Sequence, residues 1–99
     1  MADEILSVAA IEALPGREDE LLSTLRELYT LMHTKGYARD SLHRDTARHD
    51  RLLHLRYWRS AQMRSEAQAD PDVHRYWLKL PDLCIVTVLY ETLEKVFEN

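Results

Sequence analysis

Between Leu83 and Tyr90 the chain is apolar on both of its alternating sides: Leu83, Ile85, Thr87 and Leu89 interleave with Cys84, Val86, Val88 and Tyr90. Successive residues of a strand point to opposite faces, so this pattern predicts a strand with both faces dry. Ile5–Ala13 predicts a second, mostly buried strand, ended by Leu14-Pro15-Gly16. The period then changes. Leu21, Leu25, Leu28 and Met32 recur at helical spacing, flanked by Leu22 and Tyr29. Glu18, Asp19 and Glu20 suit the positive end of that helix, His33 and Lys35 suit the other, and Gly36 can close it.

Further strands are predicted at Tyr37–Arg44 and Asp50–Trp58, joined by a turn around Asp45–His49. Ser60 caps a short helix running to Gln68. Asp70-Pro71-Asp72 opens another, with a capping carboxylate and a proline at the first helical position. That helix carries Val73, Trp77 and Leu80 on one side and ends at Pro81.

The order strand, helix, strand, strand, helix, strand predicts an α+β, ferredoxin-like βαββαβ fold with a four-stranded antiparallel sheet and both crossovers on one side. The chain forms one domain, 1–99, with a core of about 5–92 and a tail at 93–99. Helices are supplied for one face of the sheet only. A bare apolar sheet exceeds what a soluble monomer tolerates, so the expected partner is a second copy, in a homodimer joined through the sheet faces.

Composition narrows the function. The formal net charge is −4, which argues against a nucleic-acid partner. Residues 36–64 nevertheless hold seven arginines (Arg39, Arg44, Arg48, Arg51, Arg56, Arg59, Arg64) against Asp40, Asp45 and Asp50, an alternation expected of a solvated hairpin. The chain has two glycines, Gly16 and Gly36, and they lie far apart, so no phosphate-cradling or dinucleotide loop exists. The single cysteine, Cys84, falls inside an apolar strand as a small core residue. No leader or membrane-length apolar run is evident, and a cytoplasmic location is expected.

Candidate chemistry gathers on the hairpin. If residues 46–49 form a four-residue turn, Tyr37, Arg39, Ser41 and His43 lie opposite Trp58, Arg56, His54 and Leu52. An indole, imidazoles, a phenol and guanidiniums on one concave surface suit a small-molecule pocket. His43 and His49 are expected in solvent, and His43, His49 and His54 lack the ligand spacing of a metal site. Trp77 sits one turn from His74 on the last helix.

Leu-Pro-Gly-Arg-Glu-Asp-Glu-Leu at 14–21, Tyr-Trp-Arg-Ser at 57–60, an Ala/Gln/Glu-rich helix and Asp-Pro-Asp-Val-His at 70–74 together resemble the antibiotic biosynthesis monooxygenase family, over roughly residues 5–92. The resemblance implies a dimeric α+β barrel with one cavity per subunit between sheet and helices. Members include cofactor-independent oxygenases of polyphenols and quinols, haem-degrading enzymes and proteins of unknown activity. By position, Trp58 matches the strand-end tryptophan that lines the family cavity, with His54 on the same side. Two departures are evident. The histidine many members carry after the Trp-x-Ser motif is here Ala67 or a neighbour, and the first-strand asparagine of the haem-degrading branch is here Ala9 or Ala10. Only His74 is placed to serve as that branch's axial ligand.

The expected function is a monooxygenase-like reaction on a phenolic or quinol-type aromatic small molecule, without bound cofactor or metal. His54, Trp58 and His74 are the candidate catalytic residues, with His54 or His74 as base and Trp58 as an aromatic wall. Tyr37, Arg39, Ser41, Arg56 and Trp77 are the candidate substrate-binding residues, with Arg56 stabilising a phenolate. A non-catalytic dimeric binding or accessory protein and a haem-degrading monooxygenase are the alternatives.

Overall fold

A computed structural model describes residues 4–99. Its elements are β1 (Ile5–Ala13), α1 (Glu18–Thr34), β2 (Ala38–Arg44), β3 (Leu52–Trp58), α2 (Ala61–Gln68), α3 (Pro71–Trp77), a 3-10 turn at Leu80–Asp82, and β4 (Cys84–Leu93). The strands lie in the order β2-β3-β1-β4, every neighbouring pair antiparallel. This is the ferredoxin-like α+β fold expected from the element order. The molecule is 18 Å deep, the thickness of one sheet and one helical layer. Among the described residues no helix is long and apolar enough to cross a membrane.

Local chemistry explains the elements. Glu18, Asp19 and Glu20 occupy the first turn of α1, where their charge opposes the helix dipole. At its other end the Tyr37 amide donates to the Met32 carbonyl and the Gly36 amide to that of His33, with Gly36 at φ +74. That pairing is the Schellman closure, and its left-handed residue favours glycine. Ser60 caps α2 by accepting from the Met63 amide, and Asp70 caps α3 by accepting from that of Asp72. Leu80 leaves the helical stripe predicted for it and falls in the 3-10 turn, because α3 ends at Trp77.

The leucine stripe of α1 builds two clusters against the sheet. Leu21 and Leu25 pack with Ile11, Leu52, Leu83 and Cys84. Leu28 and Met32 pack with Ala38, Trp58, Ala67 and Val73.

Two registers differ from those expected. The hairpin loop holds five residues between Asp45 and Arg51, whose backbones pair, rather than four. The cause is local: the Asp45 carboxylate accepts from the Ala47 amide and the Arg51 amide donates to the Arg48 carbonyl, adding one residue to the turn. Ala38, Asp40, Leu42 and Arg44 therefore face Trp58, Arg56, His54 and Leu52. A slip of one residue exchanges faces, so Arg39, Ser41 and His43 belong with Tyr57, Leu55 and Leu53 on the side away from the helices. In β4 an irregularity next to Thr87 breaks the alternation; its hydroxyl donates to the Ala10 carbonyl. Val86 and Leu89 thus share the helix side with Cys84, while Ile85, Val88 and Tyr90 share the outer side.

The helices cover β3 and β1 but leave β4 open. Ile85, Val88 and Tyr90 on the outer side are 54%, 44% and 55% exposed, and Leu89 on the inner side is 55% exposed. The basic middle of the chain meets its own acids: Arg44 pairs with Glu18, and Arg48 with Glu12 and Asp50.

Candidate functional site

His54, Arg56, Tyr29 and Asp40 bring polar groups together between the sheet and α1. His54 and Arg56 stand two apart on β3, both turned toward α1 because their partners Ala9 and Ser7 on β1 are also on that side. The Tyr29 hydroxyl, on α1 one turn beyond Leu25, lies 2.5 Å from His54 Nδ1, with the two rings 5.4 Å apart between centroids. Arg56 Nε donates to Asp40 Oδ1 at 2.5 Å. The Arg56 side chain is 6% exposed and that of Asp40 0%. The contact is single-point rather than forked, leaving Arg56 Nη2 and Asp40 Oδ2 buried without a partner among the described residues.

Burial sets the proton affinities here. It lowers His54 from 6.5 to about 3, with the charge of Arg56 acting in the same direction. Burial raises the Tyr29 phenol above its ordinary value, reinforced by Asp40. It also raises the Asp40 carboxyl, against the pull of the Arg56 guanidinium. His54 is consequently neutral and Tyr29 protonated at physiological pH.

Two spaces flank this polar group. A groove of about 550 Å³ runs between α1 and β2, lined by Leu22, Arg26, Tyr29, His33, Asp40 and Leu42 among others. A smaller cavity of about 110 Å³ is lined by Ala9, Ile11, His54, Arg56, Trp77 and Cys84 together with further apolar residues. The groove lies within the size range of small-molecule sites, roughly 300–1,000 Å³. The cavity is a little smaller than the roughly 150 Å³ void that holds benzene, so a ring there requires some movement of its walls.

The expected site residues separate into two sets. His54, Arg56 and Trp77 line the smaller cavity. Trp58 is 4% exposed, with its ring centroid 5.3 Å from the Arg56 guanidinium. Its indole nitrogen donates to Ser7 Oγ at 2.9 Å, and Ser7 donates on to the Glu91 carbonyl. The rest lie elsewhere. Tyr37 precedes β2 and donates its hydroxyl to Asp70 at 2.7 Å, beside Lys35. Arg39 is on the outer side, 3.9 Å above the Tyr57 ring and paired with Glu4. Ser41 hydrogen-bonds His43 at 3.0 Å and borders the groove at the edge strand. His74 is exposed, stacked on Trp77, with a ring nitrogen against the Gln68 carbonyl.

Tyr29 and Asp40 complete the site and were not among the expected residues. Tyr29 stood out only as a flank of the α1 stripe, and Asp40 was assigned to the wrong face by the hairpin slip. Among the described residues no cluster of His, Cys, Asp and Glu could hold a metal ion.

The comparisons agree on the architecture. Solved structures similar to this chain include SnoaB, described as a cofactor-independent oxygenase from Streptomyces nogalater (TM-score 0.76, 19% identity, 98% of this chain and 100% of that one). The Pseudomonas aeruginosa protein PA3566 gives a TM-score of 0.76 at 19% identity, covering 98% of each chain. Rv0793 from Mycobacterium tuberculosis gives 0.73 at 16% identity, covering 95% of this chain and 99% of that one. Likeness at such identities establishes the fold alone. No curated protein matches the chain. The family described as antibiotic biosynthesis monooxygenase matches residues 5–77, well over half the sequence, and the chain belongs to that family.

Proposed function

We propose that this protein is a small monooxygenase-like enzyme that receives a phenolic or quinol-type aromatic molecule between sheet and helices and uses no bound cofactor. The observation that carries the reading is the contact set of four polar side chains, Tyr29 with His54 and Asp40 with Arg56, between the sheet and α1, with a groove on one side and a smaller cavity on the other. Nothing in packing alone requires them, because a buried ion pair stabilises a fold no better than apolar residues of the same volume. Arg56 offers the cation that stabilises a phenolate, and Trp77 offers an aromatic wall that orients a ring, while Trp58 lies near the Arg56 guanidinium, 5.3 Å from its ring centroid. His54 contributes a hydrogen bond. The description of SnoaB as a cofactor-independent oxygenase supports the choice of chemistry. An electron-rich quinol whose ionised form reduces oxygen directly fits a site built this way.

In the working form, a second copy covers the outer sheet face, where Ile85, Val88 and Tyr90 are half exposed. The single, buried Cys84 fits the reducing cytoplasm as its location.

Oxygen uptake by the purified protein, freed of metal and flavin, with a panel of quinols tests the reading. Turnover above the buffer rate, reduced in Arg56→Met, is the expected result. No turnover across the panel defeats it. A non-catalytic binding protein is the second reading. It is favoured by His54, which burial deprives of basicity and so leaves the site without a ready general base. Saturable quinol binding without oxygen consumption would select that reading. A Soret shift on adding haem, lost in His74→Ala, would instead revive haem breakdown.

A further inference from the structure

We infer that Tyr29 is a positioning residue that fixes the proton of His54 on Nε2, so that the site presents an N–H donor and accepts a ligand through an oxygen acceptor, a carbonyl or an ionised phenol. The inference rests on the reading of this cavity as the ligand site. Its structural half can be tested without any ligand.

The geometry leaves two ways to share the proton. Either the Tyr29 hydroxyl donates to a bare Nδ1, or Nδ1–H donates to the phenol oxygen, at the 2.5 Å separation observed. In the second case the phenol's own proton would need another acceptor, and the Tyr29 hydroxyl has no other partner among the described residues. The first arrangement leaves only Nε2–H without a partner among the described residues, whereas the second leaves both the phenol proton and a bare Nε2 without one, so the first prevails. The ring's remaining proton then sits on Nε2, which makes no hydrogen bond among the described residues and belongs to a ring lining the smaller cavity.

Every charged or titratable group around the ring acts in the same direction or is silent. Arg56, next on the same face of β3, opposes a second proton on the ring. Asp40 on β2 is engaged with Arg56. From α3 the ring's cavity receives the indole of Trp77, and from β4 the thiol of Cys84, which burial keeps protonated. Burial of the imidazole itself supports the same conclusion. His54 thus remains a donor of constant protonation through the physiological range and cannot take a proton from a ligand. What it can do is share a ligand oxygen with Arg56, whose charge favours an oxyanion. The pH dependence of binding is then set by ionisation of the ligand.

Long-range proton–nitrogen correlation spectra of the full, uniformly labelled chain read the ring directly, with His54→Gln to assign the signal. The expected spectrum shows a bare Nδ1 and a protonated Nε2 for His54 from pH 5 to 8, and a mixture of tautomers in Tyr29→Phe. A protonated Nδ1 in the unaltered chain, or titration of His54 within that range, overturns the inference whatever else is found. So does a Tyr29→Phe spectrum identical to that of the unaltered chain. The probe for the ligand half is 4-nitrophenol, whose absorbance distinguishes phenol from phenolate. The bound probe should be phenolate at a pH where the free probe is half ionised. His54→Ala should weaken binding about tenfold or more, as loss of a hydrogen bond to a charged group entails, while His54→Gln, which keeps an N–H, retains most of it. The expected tautomer without probe binding overturns the ligand half and counts against the proposed function, leaving the hydrogen-bond assignment standing.

Discussion

Replacing Arg56 with methionine isolates the energetics of the buried pair. The change keeps most of the side-chain volume but leaves the Asp40 carboxylate, 0% exposed, without its cation. At about 4 Å between charge centres and an effective dielectric near 20, the lost attraction is about 4 kcal/mol. Removing one partner of a buried pair costs about 3–5 kcal/mol, in agreement. Against a total stability of about 5–15 kcal/mol this is a large share. With a urea slope of about 2 kcal/mol/M, the unfolding midpoint should fall by roughly 2 M. The companion variant Asp40→Leu/Arg56→Met removes both charges and should recover most of the loss. In the single variant Asp40 escapes by taking a proton, so its carboxyl rises further above the ordinary 3.8. Such a group contributes stability that is present below 3.8 and lost as pH rises through the raised value, so moving from pH 7 to pH 5 should partly restore the single variant. The double variant is the proper reference for that comparison, because the effect of acid on His54 is common to both. Urea titrations at fixed protein concentration, followed by circular dichroism, provide the measurement. A single variant as stable as the unaltered chain, or a double variant less stable than the single, would refute the account.

Acid should act on the unaltered chain through His54: its folded value lies near 3 against 6.5, so the unfolded state binds the proton first, and stability present above pH 6.5 is lost as pH falls toward 3. The slope is about 1.4 kcal/mol per pH unit, and urea midpoints between pH 7 and 4.5 that fail to flatten in His54→Leu would contradict it. Gly36→Ala should cost about 1 kcal/mol, chiefly from the left-handed backbone, since the atom its Cβ would meet, Arg59 Nη1 at 2.9 Å, ends a flexible side chain. A thermal midpoint equal to that of the unaltered chain would contradict that assignment. Val88→Arg places a charge midway along the outer side of the edge strand β4 and should shift sedimentation from the proposed two copies to one; an unchanged sedimentation coefficient would remove this face from the proposed contact.

The element order was legible because each signal was local and redundant. The α1 stripe, its acidic first turn and Gly36 all pointed to the same helix, and Asp70-Pro71 marked the start of α3 without ambiguity. The candidate site was legible only in part. His54, Arg56 and Trp58 alternate along one strand, so their common face followed from the period of two. What opposes them depended on a loop whose length is set by the Asp45–Ala47 turn, and β2, Ala-Arg-Asp-Ser-Leu-His-Arg, offered no apolar alternation to fix the face. Asp40 was missed for that reason, and Arg39 and Ser41 were placed opposite their true side. Tyr29 was missed because an aromatic residue beside a leucine stripe looks like packing. Its role depends on His54 across the interlayer, a pairing no spacing within α1 encodes. The irregularity at Thr87 was equally silent, since a strand apolar at nearly every position hides a change of phase.

Ala9 gives this arrangement an evolutionary consequence. It pairs with His54 on one side and Leu89 on the other, and its methyl group forms part of the wall of the smaller cavity. A larger residue there would fill the space beside the imidazole, whereas its neighbour Ala10 looks out on the opposite face. If the cavity is the proposed ligand site, selection acting on one codon can therefore narrow the range of molecules it would admit without touching the outer face of the sheet.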